Sequence, residues 1–157
     1  MDLLARLSNV FLTHSDQAAI VSTEVSLTYG QVDSITQQVA AGLTRQGIGA
    51  ENVVTIETSS KLEAILLLLG VVRAGGAYCV IPEDYPEHRK QLMRTKVGAA
   101  ASLRGLEEAG AAWPLNQEAA AAVADVDSSV VEPEAAALPV ERREDSLLYI
   151  IFTSGST

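Results

Sequence analysis

Aromatic residues and cysteine are both scarce in this chain of 157 residues. Only 4% of the residues are Phe, Trp or Tyr, so a core has to be built mainly from Leu, Ile, Val and Ala, which the 48% hydrophobic content supplies. The single cysteine, Cys79, excludes an internal disulfide, and its apolar neighbours predict a buried structural thiol. This cysteine usage is typical of a reducing, cytoplasmic setting.

Long apolar runs are also missing. The longest uncharged hydrophobic stretch, residues 64–72, is far shorter than the ~20 residues that a membrane helix needs, and the N-terminus lacks the basic-then-apolar pattern of a signal peptide. We therefore expect a cytoplasmic protein with no membrane partner. The net charge of -9 argues against nucleic acid as the main partner, although a local site can still bind ATP within an acidic protein.

Several motifs of catalysis and cofactor binding are absent from the sequence. It contains no Walker-type phosphate motif and no Gly-x-Ser-x-Gly nucleophile elbow. The two histidines, His14 and His88, have no Cys, His or carboxylate at metal-ligand spacing, so no metal site is predicted from them. The adjacent carboxylates Glu83 and Asp84 are interpreted as part of a solvated turn, because neighbouring side chains rarely converge on one atom.

Helix and strand patterns alternate through the first two-thirds of the chain. An amphipathic helix and a hairpin at residues 18–28 come first, and strands are predicted at residues 53–56, 77–81 and 99–103, with helices between them. Because strands that alternate with helices pair in parallel, this order predicts an α/β fold with a largely parallel sheet flanked by helices. Such sheets bind ligands beyond the carboxyl ends of their strands.

Local signals predict where the helices begin. Thr28 is suited to cap the first long helix, and Ser59 or Ser60 to cap the second. The second helix is apolar on nearly every face over residues 64–72, so it has to be covered on most sides. The third helix is predicted to start at Pro86. The side chains expected to face inward from it are Leu92, Met93 and Val97.

An apolar run at residues 147–152 leads directly into a segment of Ser, Thr and Gly, and it predicts a buried strand. Gly155 lets the backbone adopt a positive φ, successive N–H groups in such a turn form an anion site, and the hydroxyl groups supply further donors. A flexible linker is the alternative, but a linker has no reason to follow six apolar residues. We therefore predict a phosphate-binding loop made of Thr153, Ser154, Gly155, Ser156 and Thr157.

Three segments resemble the front motifs of adenylate-forming enzymes, especially the amino-acid-activating adenylation domains of nonribosomal peptide synthetases. Residues 27–33, Leu-Thr-Tyr-Gly-Gln-Val-Asp, resemble the first motif, and residues 72–86 with their Arg-Ala-Gly-Gly-Ala-Tyr resemble the second. Residues 148–157 resemble the third motif, which is the phosphate loop. Residues 80–84, Val-Ile-Pro-Glu-Asp, depart from the Pro-Leu-Asp-Pro-like turn that the family usually has. Tyr29, Gly75 and Tyr78 match the motifs and are interpreted as scaffold.

The resemblance implies that residues 1–157 are a single incomplete domain, the front part of the large N-terminal subdomain of the adenylate-forming fold. The parent enzyme would join an amino acid or another carboxylic acid to AMP, using ATP with magnesium, and pass the acyl group to a phosphopantetheine thiol. Its partners would be the remainder of the adenylation domain, a carrier protein domain and the acid. The family's downstream motifs have no counterpart here, so no catalytic residue is assigned and the chain alone is expected to be inactive.

Two alternatives to an adenylate-forming enzyme stay open at this point. The chain could instead be a non-catalytic α/β interaction module that keeps the family's front half, or an unrelated nucleotide-binding α/β domain. The identity of the acid, and the choice between a peptide synthetase and a free-standing acyl ligase, are not decided. Residues 105–146 are interpreted as a poorly patterned connection rich in alanine and acidic residues. The apolar helix and strand predict exposed apolar surface or pairing with another chain.

Overall fold

A computed structural model describes residues 3–23, 25–111 and 145–153. Helices and strands follow one another in the order that the sequence predicts. They are α1 (Leu3–Thr13), β1 (Ala18–Val21), β2 (Ser26–Thr28), α2 (Tyr29–Arg45), β3 (Val53–Ile56), α3 (Lys61–Arg73), β4 (Ala77–Val80), α4 (Glu87–Val97), β5 (Ala99–Leu103) and a 3₁₀ helix (Leu106–Ala109). Within the described ranges, no helix combines the length and the apolar character that crossing a bilayer requires.

β3 is the central strand of a three-stranded parallel sheet with the order β4–β3–β5. All four of its residues are buried, and its register runs from Val53 beside Ala77 to Ile56 beside Val80. β1 and β2 form a separate antiparallel pair. Because α3 and α4 connect the three parallel strands, the arrangement confirms the predicted α/β fold with a largely parallel sheet flanked by helices.

The start of α2 is specified by a reciprocal pair of hydrogen bonds. The Gln31 backbone N–H donates to Thr28 Oγ1 at 3.2 Å, and the Thr28 N–H donates to Gln31 Oε1 at 2.9 Å. This capping box confirms Thr28 as the N-cap and satisfies two backbone donors that the helix itself leaves free. One face of the helix is then buried at helical spacing, through Val32, Ile35, Val39 and Leu43.

α3 begins at the second of the two candidate serines. Ser60 Oγ accepts a hydrogen bond from the Glu63 backbone N–H at 3.2 Å. The helix crosses α2 at close range, because a methyl group on Gly70 would overlap the Val39 side chain. Leu66, Leu67 and Val71 are fully buried, whereas Ile65 remains 39% exposed.

Two apolar clusters cover the two faces of the sheet. The larger cluster joins α2 and α3 to Val54 and Ile56 of β3. The smaller one contains Val53, Cys79 and Met93, and it lies between the sheet and α4. This alternation follows from the period of two in a strand, which sends successive side chains to opposite faces. Cys79 is fully buried, as predicted, and burial raises the pKa of its thiol.

The prediction that Leu92 faces inward is wrong, because this side chain is 64% exposed. Met93 is 2% exposed and packs in the smaller cluster, with Val97 partly buried against the same cluster. Residues 93 and 97 are one helical turn apart and share a face, whereas residue 92 is rotated by about 100° from residue 93. α4 packs on the sheet through one narrow face, so Leu92 lies outside the contact.

The prediction of a buried strand at residues 147–152 is also wrong. The segment runs parallel to β4 through a single bridge, in which the Tyr78 N–H donates to Leu148 O at 3.1 Å and the Ile150 N–H donates to Tyr78 O at 2.9 Å. Burial alternates: Tyr149 and Ile151 are 48% and 71% exposed, whereas Ile150 and Phe152 pack against the smaller cluster. The segment lies at the sheet edge, where the described residues cover one face and leave the other open.

Only the first part of the predicted connection at residues 105–146 falls within the described chain, together with its last two residues. Leu106 and Ala109 of the 3₁₀ helix are buried in the larger cluster. Residues 112–144 lie outside the described residues, so the interpretation of this stretch as a poorly patterned connection stays a prediction, as does the single-domain assignment of residues 1–157.

Candidate functional site

The candidate site lies at the edge of the sheet where β4 and the segment at residues 147–152 both end. Because the two run in parallel, their carboxyl ends lie at the same edge. The turn at residues 82–86 leaves β4 there, and Thr153 follows Phe152 with its side chain exposed. Thr153 is the one predicted phosphate-binding residue within the described chain, and Ser154, Gly155, Ser156 and Thr157 lie outside it.

A cavity of about 410 Å³ opens at this edge. Its walls come from β4, the following turn, α4 and the segment that ends at Thr153, and they are largely apolar. A mostly apolar cavity with a few polar groups is the usual form of a small-molecule site. The lining residues are Tyr78, Val80, Pro82, Tyr85, Arg89, Met93, Ile150, Ile151, Phe152 and Thr153.

A stacked pair of tyrosines holds the segment at residues 147–152 on β4. The rings of Tyr78 and Tyr149 lie 5.9 Å apart between centroids, at an interplanar angle of 27°. Such offset stacking adds to the two backbone hydrogen bonds of the bridge. Tyr78 therefore both supports the segment and lines the cavity. Of the other residues interpreted as scaffold, Tyr29 packs on Phe11, and Gly75 follows α3 with a φ of 86°.

Arg89 is the cationic residue of the cavity wall. Its guanidinium carbon lies 4.0 Å from the centroid of the Tyr85 ring, which is a close cation–π arrangement. Its Nε atom is buried and has no hydrogen-bond acceptor among the described residues. The sequence analysis missed this residue. A usable signal was present, because Arg89 is four residues before Met93 on α4 and therefore shares the face that Met93 buries.

A buried ion pair anchors α4 to the sheet beside the cavity. Glu57 follows β3 directly and is 2% exposed. Arg94 donates from Nε to Glu57 Oε1 at 2.7 Å and from Nη2 to Oε2, and Thr55 donates to Oε1 at 3.1 Å. The hydrogen bonds from Arg94 hold the pKa of the Glu57 carboxyl below its usual value of 4.5, although burial acts in the opposite direction. A carboxylate held in this way orients α4 and is not poised to take up a proton.

The remaining polar candidates from the sequence stand apart from the cavity. Glu83 and Asp84 are both exposed, in agreement with a solvated turn. His14 packs beside Tyr29, with 6.2 Å between the ring centroids, and His88 is exposed on α4. Among the residues that the structure describes, no group of three or more His, Cys, Asp or Glu side chains is placed to hold a metal ion.

Comparison with protein families gives a match over nearly the whole chain. The family model described as AMP-binding enzyme covers residues 8–157. The chain belongs to the AMP-binding enzyme family. The resemblance to adenylate-forming enzymes that the sequence motifs indicate is thereby confirmed.

The curated relatives of this AMP-binding chain include bacterial peptide synthases. It is 37% identical over 146 residues to a linear gramicidin synthase of Brevibacillus parabrevis, and 36% identical over 140 residues to bacitracin synthase 3 of Bacillus licheniformis. These alignments cover 90% and 89% of the chain but only 2% of each relative. The chain thus spans a small fraction of the length of the proteins it matches.

Solved structures of adenylation proteins share the fold of this chain. The N-terminal subdomain of Klebsiella oxytoca NpsA aligns with a TM-score of 0.60 over 65% of this chain and 27% of that chain, at 16% identity. An artificially fused adenylation–PCP di-domain, NpsA–ThdA from the same organism, aligns with a TM-score of 0.60 over 64% of this chain and 19% of that chain, also at 16% identity. At these identities the likeness concerns the fold, and it agrees with the α/β architecture of the AMP-binding chain.

Proposed function

We propose that this AMP-binding chain is the front part of an adenylation domain that activates an amino acid, or another carboxylic acid, as acyl-AMP. The acid's carboxylate attacks the α-phosphorus of ATP, a new oxygen–phosphorus bond forms, and pyrophosphate leaves. A phosphopantetheine thiol on a carrier domain then attacks the acyl carbonyl and releases AMP. The family match over residues 8–157 and the similarity to two peptide synthases support this assignment.

Within that reaction, we assign the loop of residues 153–157 to the β- and γ-phosphates of ATP. The observation that carries this assignment is the position of Thr153, exposed beside a cavity at the carboxyl ends of two parallel segments. Backbone N–H groups and hydroxyls from this loop would be aimed where negative charge grows as pyrophosphate departs. Donors held in place before the reaction stabilise that charge at little reorganisation cost.

Magnesium would enter this site together with the nucleotide. Mg²⁺ bound to ATP takes most of its ligands from phosphate oxygens and water, with one or two carboxylates from protein. Glu57, the carboxylate nearest in the fold to the end of β3, already has both oxygens engaged by Arg94. None of the described residues is therefore assigned to the metal, and their part in the reaction is to bind and orient phosphate.

The carrier domain and the remainder of an adenylation domain are the proposed protein partners. The fold similarity to an artificially fused adenylation–PCP protein supports the carrier partner. The exposed side chains Tyr149 and Ile151 support the second proposal, because a strand or helix laid on that open face would bury them. We also expect the chain by itself to bind ATP more weakly than millimolar and to form no adenylate.

The weak binding expected of the isolated chain follows from opposing free energies. Two or three charge-assisted hydrogen bonds contribute about 1.5–3 kcal/mol each, which approaches the ~4 kcal/mol of a millimolar site. Ordering the loop costs about 1–2 kcal/mol per residue. The purified chain should therefore catalyse no exchange of pyrophosphate into ATP, and exchange well above background would refute this expectation.

The proposed activity is tested by replacing the front part of an adenylation domain with residues 1–157 of this chain. The recipient is one of the two peptide synthases named above. We expect exchange of labelled pyrophosphate into ATP that depends on the amino acid. The matched control carries Gly155→Val, which blocks close approach of the loop backbone and should lower the exchange about a hundredfold.

Two results of this experiment would contradict the proposal. One is a chimera that unfolds cooperatively on heating yet exchanges no pyrophosphate above background. The other is exchange above background that is equal in the chimera and its Gly155→Val variant, which would remove the loop from the reaction. A folded chimera without activity would favour the alternative of a non-catalytic interaction module.

A further inference from the structure

Three arginines on α3 and α4 have guanidinium groups that are at least partly withdrawn from water, and they differ in their partners. Arg73 is paired with Asp33 and Arg94 with Glu57, and the two arginine side chains are 15% and 14% exposed. Arg89 has a buried side-chain Nε that finds no hydrogen-bond acceptor among the described residues. A buried guanidinium donor without an acceptor is costly, so this side chain is prepared for an anion that is not a described part of the chain.

The surroundings of Arg89 favour a ligand over a neighbouring carboxylate. Glu87, the acidic residue closest to it on α4, is engaged by Arg94 Nη1 at 2.6 Å. Glu83 and Asp84 of the preceding turn are exposed. Arg89 instead stacks on Tyr85, which holds the plane of the guanidinium without neutralising its charge.

The position of Arg89 identifies the kind of anion. Arg89 and Thr153 line the same cavity, one from α4 and the other from the end of the segment beside β4. Resting on the proposed function, we propose that Arg89 is a further anion-binding residue that contacts the same polyphosphate group as the loop beginning at Thr153. The planar fork of arginine suits phosphate oxygens, which it can contact through two parallel hydrogen bonds.

The anchoring of α4 supports this role. The Arg94–Glu57 pair ties the helix to the end of β3, about one and a half turns beyond Arg89. Met93, between the two arginines, is buried against the sheet. Arg89 therefore extends from a rigid helix, and the entropy lost when it contacts an anion is smaller than for a freely mobile side chain.

The test is a titration of the 157-residue chain with magnesium-free tripolyphosphate, followed by nuclear magnetic resonance. The Arg89 Nε–Hε signal, assigned through the Arg89→Lys variant, reports on the side chain, and the backbone amides of residues 153–157 report on the loop. Sodium chloride at matched ionic strength is the blank. We expect both sets of signals to shift along one binding curve with a single dissociation constant.

Variants then distinguish a direct contact of the Arg89 side chain with tripolyphosphate from the general effect of removing a positive charge. Arg89→Gln should raise the dissociation constant for tripolyphosphate at least about tenfold, as the loss of one charge-assisted hydrogen bond implies. Arg89→Lys, which keeps the charge and loses the fork, should have a smaller effect. The control Arg45→Gln removes an exposed arginine outside the cavity and should leave the constant unchanged. The dispersion of the amide spectrum shows for each variant whether the fold is intact.

The possible outcomes distinguish this inference from the proposed function. Loop amides that shift while the Arg89 signal stays fixed would overturn the inference and leave the phosphate loop standing. An Arg89 signal that shifts alone, or on a different curve, would show an anion bound away from the loop and would also overturn it. If neither set moves at tens of millimolar tripolyphosphate, both the inference and the assignment of the loop fail.

Discussion

The core under α2 and α3 and the sheet edge beside β4 differ in how far their apolar side chains are covered. In the core, Leu66, Leu67 and Val71 are fully buried. At the edge, Tyr149 and Ile151 are 48% and 71% exposed although they belong to an equally apolar run. The comparison teaches that apolar character alone does not specify burial. The covered region holds the fold together, and the open region carries the candidate site.

The largest expected effect comes from truncating one leucine of the covered region. Leu67→Ala leaves a cavity among fully buried neighbours and should lower the free energy of unfolding by about 2–5 kcal/mol. Ile151→Ala, the matched change at the open edge, should alter it by less than about 0.5 kcal/mol. Urea denaturation of the two variants measures both values. Equal losses would show that the edge is covered after all.

Glu57→Gln should cause the next largest loss in the free energy of unfolding, because it removes the buried carboxylate that pairs with the Arg94 guanidinium. We expect a loss of about 2–3 kcal/mol at pH 7, below the range for a fully buried pair, since Arg94 is 14% exposed and keeps Glu87. The pKa of Glu57 is lowered in the folded state, so its contribution is complete above the usual value of 4.5 and is lost as the pH falls below it.

The sign of that pH dependence supplies an independent check. Between pH 7 and pH 3, the folded chain should lose more stability than the Glu57→Gln variant, because only the former has to protonate this carboxylate. Denaturation curves recorded at several pH values measure the difference between the two. Parallel losses over the whole window would show that the Arg94–Glu57 pair does not lower this pKa.

A smaller loss of stability is expected from a methyl group added where α2 meets the 3₁₀ helix. Gly42→Ala would press its Cβ into the Ala109 backbone carbonyl and should cost about 1–3 kcal/mol. Gly49→Ala is the control, because nothing lies within 4 Å of a Cβ there. Thermal unfolding should separate the two. A Gly42→Ala variant as stable as the control would mean that α2 and the 3₁₀ helix separate easily.

The smallest effect on stability, and the sharpest test of the open edge, is expected from Ile151→Lys. The exposed apolar row along the edge should promote weak association of the chain and binding of a dye specific for apolar surface. A charge at position 151 should reduce both and leave the unfolding free energy within about 0.5 kcal/mol. Sedimentation and dye fluorescence measure these changes. A monomeric parent chain that binds no dye would show that this edge is not an association surface.

Most of the fold was predictable because its signals are local. The capping box at Thr28 and Gln31 lies within four residues, and the buried stripe of α2 repeats at helical spacing. The errors arose where a side chain's environment depends on a distant element. Leu92 is as apolar as Met93, and only the orientation of α4 on the sheet makes one exposed and the other buried.

Only the loop side of the candidate site was predictable from the sequence. Thr153 follows from a strand pattern that leads into Ser, Thr and Gly, and the structure describes it beside the cavity. Ser154, Gly155, Ser156 and Thr157 lie outside the described residues and stay predictions. The spacing to Met93 could have indicated that Arg89 faces the sheet, but no spacing rule connects residue 89 with 153, or residue 57 with 94.

The sequence by itself determined the order of helices and strands, the caps and the membership of the AMP-binding family, because these depend on periodicity and on short motifs that are read along the chain. The tertiary structure alone decided that residues 147–152 lie at an open edge, that Arg94 reaches Glu57 and that Arg89 shares a cavity with Thr153. Those relations exist only once parallel strands bring their carboxyl ends together and α4 packs across them, since residues far apart in sequence then share one surface.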